Sequence, residues 1–324
     1  MGGDLAPSEV LEGALLALND YPILLSLVGP EDVIRTELSR FPHWPMDRTT
    51  IVHAPDVVGM AESPSLAFRK KKHSSIQVGL NLVKNGDADG FVSAGNTGAV
   101  MAASILTLGR IPGVERPAIA TLFPSQTGPF VMLDMGSTVD CKPSHLFQFG
   151  VMGHYFSQLL LSVEQPRVAL LNIGEEPDKG NVATLEAYEL LGNMDMLNFI
   201  GNLEGKDILL GKADVIVCDG FVGNVLLKFG EGVTSLFLDF FRTEAKRSVL
   251  SLLGLLLLKS SLKLFMKRFD YQEYGGAPLL GVNGVSIIAH GKSKRLAIKH
   301  AIRTCKVTVE QRLVERIATA ISGL

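Results

Sequence analysis

The sequence predicts a doubly wound α/β protein in which a mostly parallel sheet lies between two layers of helices. Short apolar segments alternate with longer segments of helical periodicity along almost the whole chain. The short segments are apolar at nearly every position, which is typical of parallel strands covered by helices on both faces. The predicted strands, in chain order, are Ile23–Val28, Thr50–His53, Phe91–Val92, Ile119–Phe123, Phe130–Leu133, Val168–Asn172, Val215–Cys218 and Ser286–Ala289.

Two helices have clear start and stop signals. Ser75 is predicted to cap a helix over Ile76–Asn85 that ends at Gly86, and a second helix over Thr97–Leu108 ends at Gly109. The chain contains no low-complexity linker and no internal repeat. We therefore expect a single domain over residues 1–324.

Residues 236–270 are expected to leave this domain as a helical hairpin. The apolar run within Val249–Phe269 is about half the ~20 residues that a bilayer span needs, and lysines recur every four residues at 259, 263 and 267. Two interpretations stay open, and both can hold together. The stems pack in a homodimer, or an exposed leucine tip lies on an anionic membrane surface. The tip residues are Leu253, Leu255, Leu256 and Leu257.

The composition of the chain limits the partners and the cellular compartment that we expect for it. Of 324 residues, 47% are hydrophobic and the formal net charge is −2, so the chain has no global attraction to nucleic acid. The three cysteines are far apart, which favours reduced thiols over a disulfide framework or a zinc site, and Cys218 is expected in the core. Since the chain has no signal-peptide pattern at its start, we expect a cytoplasmic location.

A glycine loop between a predicted strand and a predicted helix, at Gly90–Ala99, is the strongest candidate for anion binding. The first N–H groups of a helix have no intrahelical partner, and the helix dipole adds positive potential there. The loop has neither the nucleotide P-loop pattern nor G-x-G-x-x-G spacing, which also argues against a nicotinamide dehydrogenase. A plain connecting turn is the alternative. The predicted phosphate-binding residues are Ser93, Gly95, Asn96, Thr97 and Gly98.

Further polar loops follow other predicted strands, and two of their residues are candidates for catalysis. Lys179 lies in the loop 172–181, where its ammonium could neutralise an anion or an oxyanion; a surface lysine paired with Glu175 or Glu176 is the alternative. Asn224 is placed at a strand–helix turn, where its amide could donate to a carbonyl oxygen or simply cap the helix. No nucleophile–base pair and no metal-ligand spacing is evident, so a reaction driven by positioning and electrostatics is favoured.

Basic clusters give two further candidate surfaces. Arg69–Lys72 precedes the hydroxyls of Ser74 and Ser75 at a helix start, which predicts either a phosphate site or a dock for an acidic partner. A second basic group near the carboxyl terminus comprises Lys292, Lys294, Arg295 and Lys299.

Several motifs together resemble those of the bacterial phosphate acyltransferases of phospholipid synthesis. They are the segments 1–4 (Met-Gly-Gly-Asp), 69–76, 93–99, 139–143 and 274–284 and the loops around Lys179 and Asn224, spread over nearly the whole chain. The resemblance implies transfer of an acyl group from acyl carrier protein to inorganic phosphate and a Rossmann-like α/β/α fold related to phosphotransacetylases. It also implies a homodimer, no cofactor and peripheral membrane association through a helical hairpin. It also implies that the acyl phosphate is consumed by a membrane glycerol-3-phosphate acyltransferase, that Lys179 and Asn224 are catalytic, and that Asp4 belongs to the phosphate site.

Three departures from this family leave two alternatives open. The family's first strand is missing before Met1, its histidine after Asp4 is replaced by Leu5, and its Ala-Asn pair is replaced by Ser137-Thr138, whose hydroxyls are expected to retain hydrogen bonding. A catalytically impaired adaptor for carrier protein and membrane is one alternative. A short-chain phosphotransacetylase that uses coenzyme A is the other.

Overall fold

A computed structural model describes residues 1–245, 247–248, 253–260, 262 and 275–323. The first part of the chain forms α1 (Ser8–Asp20), β1 (Leu25–Gly29), α2 (Glu31–Leu38), β2 (Thr49–His53), α3 (Pro64–Lys70), α4 (Ser75–Asn85), β3 (Gly90–Ser93) and α5 (Thr97–Leu108). The middle forms β4 (Ala118–Ile119), β5 (Thr121–Pro124), β6 (Pro129–Leu133), α6 (Pro143–Leu161), β7 (Arg167–Asn172), α7 (Val182–Gly192), β8 (Asn198–Glu204), β9 (Val215–Val217) and α8 (Gly220–Ala245). A helix at residues 253–260, α9, is followed by β10 (Ala277–Leu280), β11 (Val285–Ile288), α10 (Arg295–Glu310) and α11 (Leu313–Ser322).

The described strands form three sheets rather than one. Their orders are β1-β2, β3-β11-β10-β4 and β5-β6-β9-β7-β8. The pairs β1-β2, β3-β11, β6-β9, β7-β9 and β7-β8 are parallel. The antiparallel pairs are β10-β11, β10-β4 and β5-β6. The predicted α/β class with a mostly parallel arrangement is confirmed. Strands β8 and β10 were not predicted, because β8 is rich in asparagine and β10 begins at Ala277-Pro278 directly after two glycines.

One hydrophobic core connects the two larger sheets. Buried side chains of the four-stranded sheet, among them Phe91 and Ile119, belong to the same cluster as Phe130 and Ile216 of the five-stranded sheet. Cys218 is also a buried member of this cluster, as the sequence predicted. Burial of large apolar side chains contributes roughly 1.5–3 kcal/mol each, so this shared core fixes how the two sheets face one another.

The helix ends largely follow the sequence signals, with one correction. The N-cap of α4 is Ser74, whose hydroxyl accepts from the Gln77 N–H (3.4 Å), and not Ser75, which is the first helical residue. Gly86 ends α4 in the left-handed conformation, and Gly109 follows the last residue of α5 as predicted.

The predicted hairpin is described only in part. Helix α8 extends to Ala245, and residues 253–260 are helical, but residues 246, 249–252, 261 and 263–270 lie outside the described part of the chain. Within the described residues, α8 alone has the length and apolar composition that a membrane-crossing helix needs. Its first turns carry Val222, Leu226 and Leu227, which pack against the shared core.

Candidate active site

The carboxyl edges of the two larger sheets face each other. Strands β3, β11 and β4 point in one direction, because β11 is parallel to β3 and β10 is antiparallel to both β11 and β4. Strand β5 continues directly from β4 and is antiparallel to β6, with Thr121 opposite Met132. The carboxyl end of β4 therefore lies beside the carboxyl end of β6. Since β9, β7 and β8 all run parallel with β6, their end loops line the same cleft.

Asp134 holds this junction together. Its buried carboxylate accepts from the backbone N–H groups of Ile119 (3.0 Å), Gly136 (3.2 Å), Ser137 (3.1 Å) and Thr138 (2.6 Å). The Ser137 hydroxyl lies 2.8 Å from the same carboxylate and 2.6 Å from the Pro117 carbonyl. Burial raises the pKa of Asp134, while the hydrogen bonds from Ser137, Ile119 and Thr138 act in the opposite direction. The expectation that the Ser137 hydroxyl keeps a hydrogen-bonding role is confirmed.

The start of α8 packs tightly on this junction and carries Asn224 to it. A side chain at Gly223 would place its Cβ only 2.0 Å from the Asp134 carbonyl oxygen, so the approach requires glycine. The Gly220 N–H donates to the Thr138 carbonyl (2.8 Å). The prediction that Asn224 lies in the strand–helix turn was wrong: it lies within α8, and the Asp219 carboxylate caps the helix by accepting from the Val222 N–H (2.8 Å).

Asn224 nevertheless faces the loop after β6. Its amide nitrogen lies 3.1 Å from the position that a Cβ on Gly136 would occupy. The residue is exposed, and no hydrogen bond engages its amide within the described part of the chain. Asn224 therefore has a free donor beside the Asp134 junction.

The loop that carries Lys179 is held by two asparagines, Asn172 at the end of β7 and Asn202 on β8. The Asn172 amide donates to the Lys179 carbonyl (2.9 Å) and to the Asn202 side chain (3.1 Å), and the Asn202 amide donates to the Glu176 carbonyl (2.8 Å). These bonds fix the backbone of the loop while its side chains stay exposed.

A surface ion pair fixes the same loop from outside. Glu175 pairs with Lys212 (3.1 Å) rather than with Lys179, and Lys212 also contacts the buried Asp207 (3.1 Å). Hydrogen bonds from Asp207 and Glu175 raise the pKa of Lys212. Among the described residues no carboxylate pairs with Lys179, so the predicted alternative of a surface pair with Glu175 or Glu176 was wrong.

The glycine loop after β3 lies at the opposite edge of the cleft. The Asn96 side chain is fully used: its amide donates to the carbonyls of Gly59, Met60 and Glu62 (2.9–3.3 Å), and its oxygen accepts from the Ala99 N–H (3.0 Å). The Ser93 hydroxyl accepts from the Gly95 N–H (3.1 Å). In the described chain the backbone N–H groups of Asn96, Thr97 and Gly98 have no acceptor, and Thr97 is exposed. These three N–H groups lie in the loop for which the sequence predicts anion binding.

The first residues of the chain pack against this loop. Gly2 has a φ of +90°, and a side chain at Gly3 would place its Cβ 2.7 Å from the Ala94 carbonyl oxygen. The Asp4 N–H donates to the Gly291 carbonyl (2.9 Å), and its exposed carboxylate lies beside Gly291. Burial lowers the pKa of the Met1 amino group. Asp4 therefore follows a glycine that packs directly on the glycine loop.

The two basic clusters offer fewer unpaired cations to a partner or an anion than their sequences indicate. Lys71 is bound to Glu62 (2.5 Å) and the Val57 carbonyl (2.6 Å), whereas Arg69, Lys70 and Lys72 are exposed. Ser74 and Ser75 are both buried. In the carboxyl-terminal group, Arg295 pairs with Glu9 and Glu12 and Lys299 pairs with Asp20, which leaves Lys292 and Lys294 exposed.

Sequence reasoning missed three parts of the site: Asp134, the Asn172–Asn202 pair and Lys212. A carboxylate directly after a buried strand was visible at Asp134, but nothing in the sequence indicates its five donors. Asn202 lies on β8, which was not predicted.

A surface depression of about 250 Å³ between α2 and β2 is lined by none of the candidate residues.

Comparison with known proteins decides the family. The model of the family described as "Fatty acid synthesis protein" matches residues 1–316. The chain is 50% identical over 324 residues to a phosphate acyltransferase from Pelotomaculum thermopropionicum, covering 100% of this chain and 94% of the relative. The chain belongs to the phosphate acyltransferase family. A phosphate acyltransferase from Halothermothrix orenii is 49% identical, and the match covers 99% of this chain and 97% of the relative. The chain is thus an acyltransferase, and the predicted family and enzyme class are confirmed.

Solved structures support the fold. A phosphotransacetylase from Streptococcus pyogenes matches with a TM-score of 0.65 at 17% identity, covering 94% of this chain and 92% of that one. A branched-chain phosphotransacylase from Enterococcus faecalis matches with a TM-score of 0.60 at 15% identity, covering 95% and 96%. The predicted relation to phosphotransacetylase-like folds is confirmed.

Proposed function

We propose that this acyltransferase moves an acyl group from the thioester of acyl carrier protein to inorganic phosphate, giving acyl phosphate and free carrier protein for phospholipid synthesis. One observation carries the proposal. The unpaired N–H donors after β3 lie at one edge of a cleft whose opposite edge carries Lys179 and Asn224. An anion and an acyl carbonyl can therefore be held against each other between the two edges.

The reaction needs positioning more than it needs an enzymic nucleophile. A phosphate oxygen attacks the thioester carbonyl carbon, a C–O bond forms, and the C–S bond then breaks as the thiolate leaves and takes a proton from solvent. The N–H groups of Asn96, Thr97 and Gly98 hold the phosphate, with Asp4 and the hydroxyls of Ser93, Ser74 and Ser75 as its further surroundings. Lys179 neutralises the charge of the bound phosphate.

Asn224 is proposed as the donor to the carbonyl oxygen of the thioester. That oxygen becomes an oxyanion in the tetrahedral intermediate, and a neutral amide donor placed there contributes about 3–4 kcal/mol to the transition state. No cofactor takes part in the proposed reaction.

The direct test incubates the purified protein with palmitoyl-carrier protein and radiolabelled phosphate and measures the label that enters acyl phosphate. We expect labelled acyl phosphate and an equal amount of free carrier thiol to form only when both the protein and phosphate are present. Turnover of acetyl-coenzyme A but not of acyl carrier protein would favour a short-chain phosphotransacetylase. Binding of carrier protein without any labelled acyl phosphate would favour the adaptor alternative.

Docking of the acidic carrier protein is proposed for the exposed cations Arg69, Lys70 and Lys72, with Lys292 and Lys294 as a second group. Electrostatic steering weakens as the Debye length falls to about 3 Å at 1 M salt. The association rate should therefore fall steeply with ionic strength. A rate that does not change with salt would contradict this docking surface.

We further propose a homodimer and a peripheral contact with anionic membrane, on a protein that otherwise stays in the cytoplasm. The support is the exposed apolar surface beyond the core: Phe229, Leu236, Phe237 and Phe240 on α8 are 57–70% exposed. The tip residues Leu253, Leu256 and Leu257 are 53–85% exposed, and Leu255 is half-buried. Pairing of the hairpin stems in a dimer would cover the exposed surface of α8, and contact with lipid would cover the leucine tip. A membrane glycerol-3-phosphate acyltransferase could then take up the labile acyl phosphate.

A further inference from the structure

Five large apolar side chains are exposed at the carboxyl edge of the five-stranded sheet, around Lys179 and Asn224. Their exposed fractions are 56% for Val139, 82% for Ile173, 71% for Val182, 60% for Phe221 and 51% for Val225. We call these five residues the apolar collar. Single exposed apolar residues are ordinary on a protein surface, but several grouped around one cleft indicate a surface that a ligand covers.

The backbone brings the members of the collar together. The Gly220 N–H donates to the Thr138 carbonyl (2.8 Å). Val139 directly follows Thr138 and Phe221 directly follows Gly220, so this hydrogen bond brings the two apolar residues together. Phe221 and Val225 are one helical turn apart and share a face of α8.

The other two members stand at the end of the next strand. Ile173 directly follows β7, which pairs with β9, and Val182 is the first residue of α7. Ile173 and Val182 thereby bracket the loop that carries Lys179, while Val225 is next to Asn224. The collar therefore adjoins the two residues that the proposed reaction assigns to the phosphate and to the thioester carbonyl.

We propose that the apolar collar binds the first methylenes of the acyl chain and sets the preference of the enzyme for acyl length. This inference rests on the proposed function, since it assigns the transferred group of that reaction to named side chains. The position of the collar argues for this occupant, because every member flanks a loop or helix turn that carries Lys179, Asn224 or the Asp134 junction. The exposed residues Phe229–Phe240 lie farther along α8 and are the ones assigned above to a second copy of the chain.

The collar should make catalysis depend on chain length. Each methylene that is removed from water favours binding about fourfold, so kcat/KM should rise with acyl length until the collar is filled. Truncation of collar side chains should reduce this rise rather than lower the rate equally for every substrate.

The experiment measures kcat/KM with butyryl-, octanoyl- and palmitoyl-carrier protein for the wild type and for the double variant Phe221→Ala/Val225→Ala. Leu24→Ser is the matched control, since Leu24 is 80% exposed but precedes β1 and lies outside the cleft loops. We expect the loss in the double variant to be about tenfold or more greater for palmitoyl than for butyryl substrate, and Leu24→Ser to follow the wild type. Ile173→Ser tests the β7 side of the collar by the same measurement.

The outcomes separate this inference from the proposed function. A loss that is equal at every acyl length, or a change in molecular mass by light scattering in the double variant, would overturn the inference and assign these residues to folding or to a dimer contact. Wild-type protein that forms no acyl phosphate from any of the three substrates would overturn the proposed function itself. If the double variant does not fold, Ile173→Ser on the exposed loop decides by the same criterion.

Discussion

The Ile119 backbone N–H donates to the Asp134 carboxylate across 3.0 Å, and this bond joins the carboxyl ends of two sheets that share no β-ladder. The Met135 N–H returns a bond to the Ile119 carbonyl (3.0 Å). Any group bound between the sheets is therefore positioned by this junction.

The first prediction is that Asp134→Ala destabilises the fold. The change leaves the buried N–H groups of Ile119, Gly136, Ser137 and Thr138 without their acceptor, and we expect a loss of about 3–5 kcal/mol in the free energy of unfolding. Urea denaturation measures it. Asp140→Ala is the control, because Asp140 is exposed in the same loop and should change stability by less than about 0.5 kcal/mol. Equal midpoints for the two variants would contradict the role given to Asp134.

Lys179→Ala should weaken phosphate binding. Loss of a charge-assisted hydrogen bond is expected to raise the KM for phosphate about tenfold or more, because the charge of the phosphate is then no longer neutralised. Initial rates of acyl phosphate formation over a phosphate series provide the measurement. Lys206→Ala removes another exposed lysine, one that pairs with Glu204, and should leave the KM for phosphate unchanged. Wild-type phosphate saturation in Lys179→Ala would remove Lys179 from the site.

Asn224→Ala should act on turnover. If its amide donates to the developing oxyanion, kcat should fall about 10²–10³-fold with little change in the KM for carrier protein. The urea midpoint should stay close to that of the wild type, since Asn224 is exposed and no described hydrogen bond depends on it. Lys228→Ala, one turn farther along α8, is the matched control. A folded Asn224→Ala enzyme with full kcat would exclude the oxyanion role.

His154 should make the fold sensitive to acid. Burial lowers the pKa of this imidazole from its ordinary value of 6.5, and its Nδ1 has no hydrogen-bond partner in the described structure. The folded state therefore favours the neutral ring, so its contribution to stability is complete above pH 6.5 and is lost as the pH falls below that value.

Unfolding free energies of the wild type and of His154→Leu, measured from about pH 8 to 5, test this prediction. The variant should lose less stability over that range. Burial also lowers the pKa of His145, which both proteins keep, so a shallower slope rather than a flat one is expected. Identical slopes would show that His154 does not carry the effect.

Leucine-to-glutamate changes at Leu255 and Leu257 should abolish flotation with anionic liposomes. Each leucine that inserts is expected to contribute about 1.5–3 kcal/mol, and a glutamate would be repelled by the lipid charge. Acyl phosphate formation in the absence of lipid should persist. The control Leu24→Glu adds a charge at an 80% exposed leucine outside the tip. Flotation that survives the double change would rule out the tip as the contact.

The sequence by itself determined the local features of this protein. Eight apolar runs marked nine strands close to their observed positions, since the run Ile119–Phe123 covers both β4 and β5. Glycines at 86 and 109 marked two helix ends. The order of strand, glycine loop and helix at β3 and α5 was also visible in the sequence. These features depend on burial and backbone conformation within a few residues, which is why a pattern in the chain reveals them.

Only the tertiary structure decided how these pieces meet. Strand β3 pairs with β11 from the far end of the chain, and this pairing, together with the antiparallel step from β4 to β6, turns the two carboxyl edges toward each other. The same long-range contacts made Asp134 a buried acceptor, placed Asn224 beside Gly136 and paired Glu175 with Lys212 instead of Lys179. Strand register and side-chain pairing arise from residues far apart in sequence, so no periodicity within the chain encodes them.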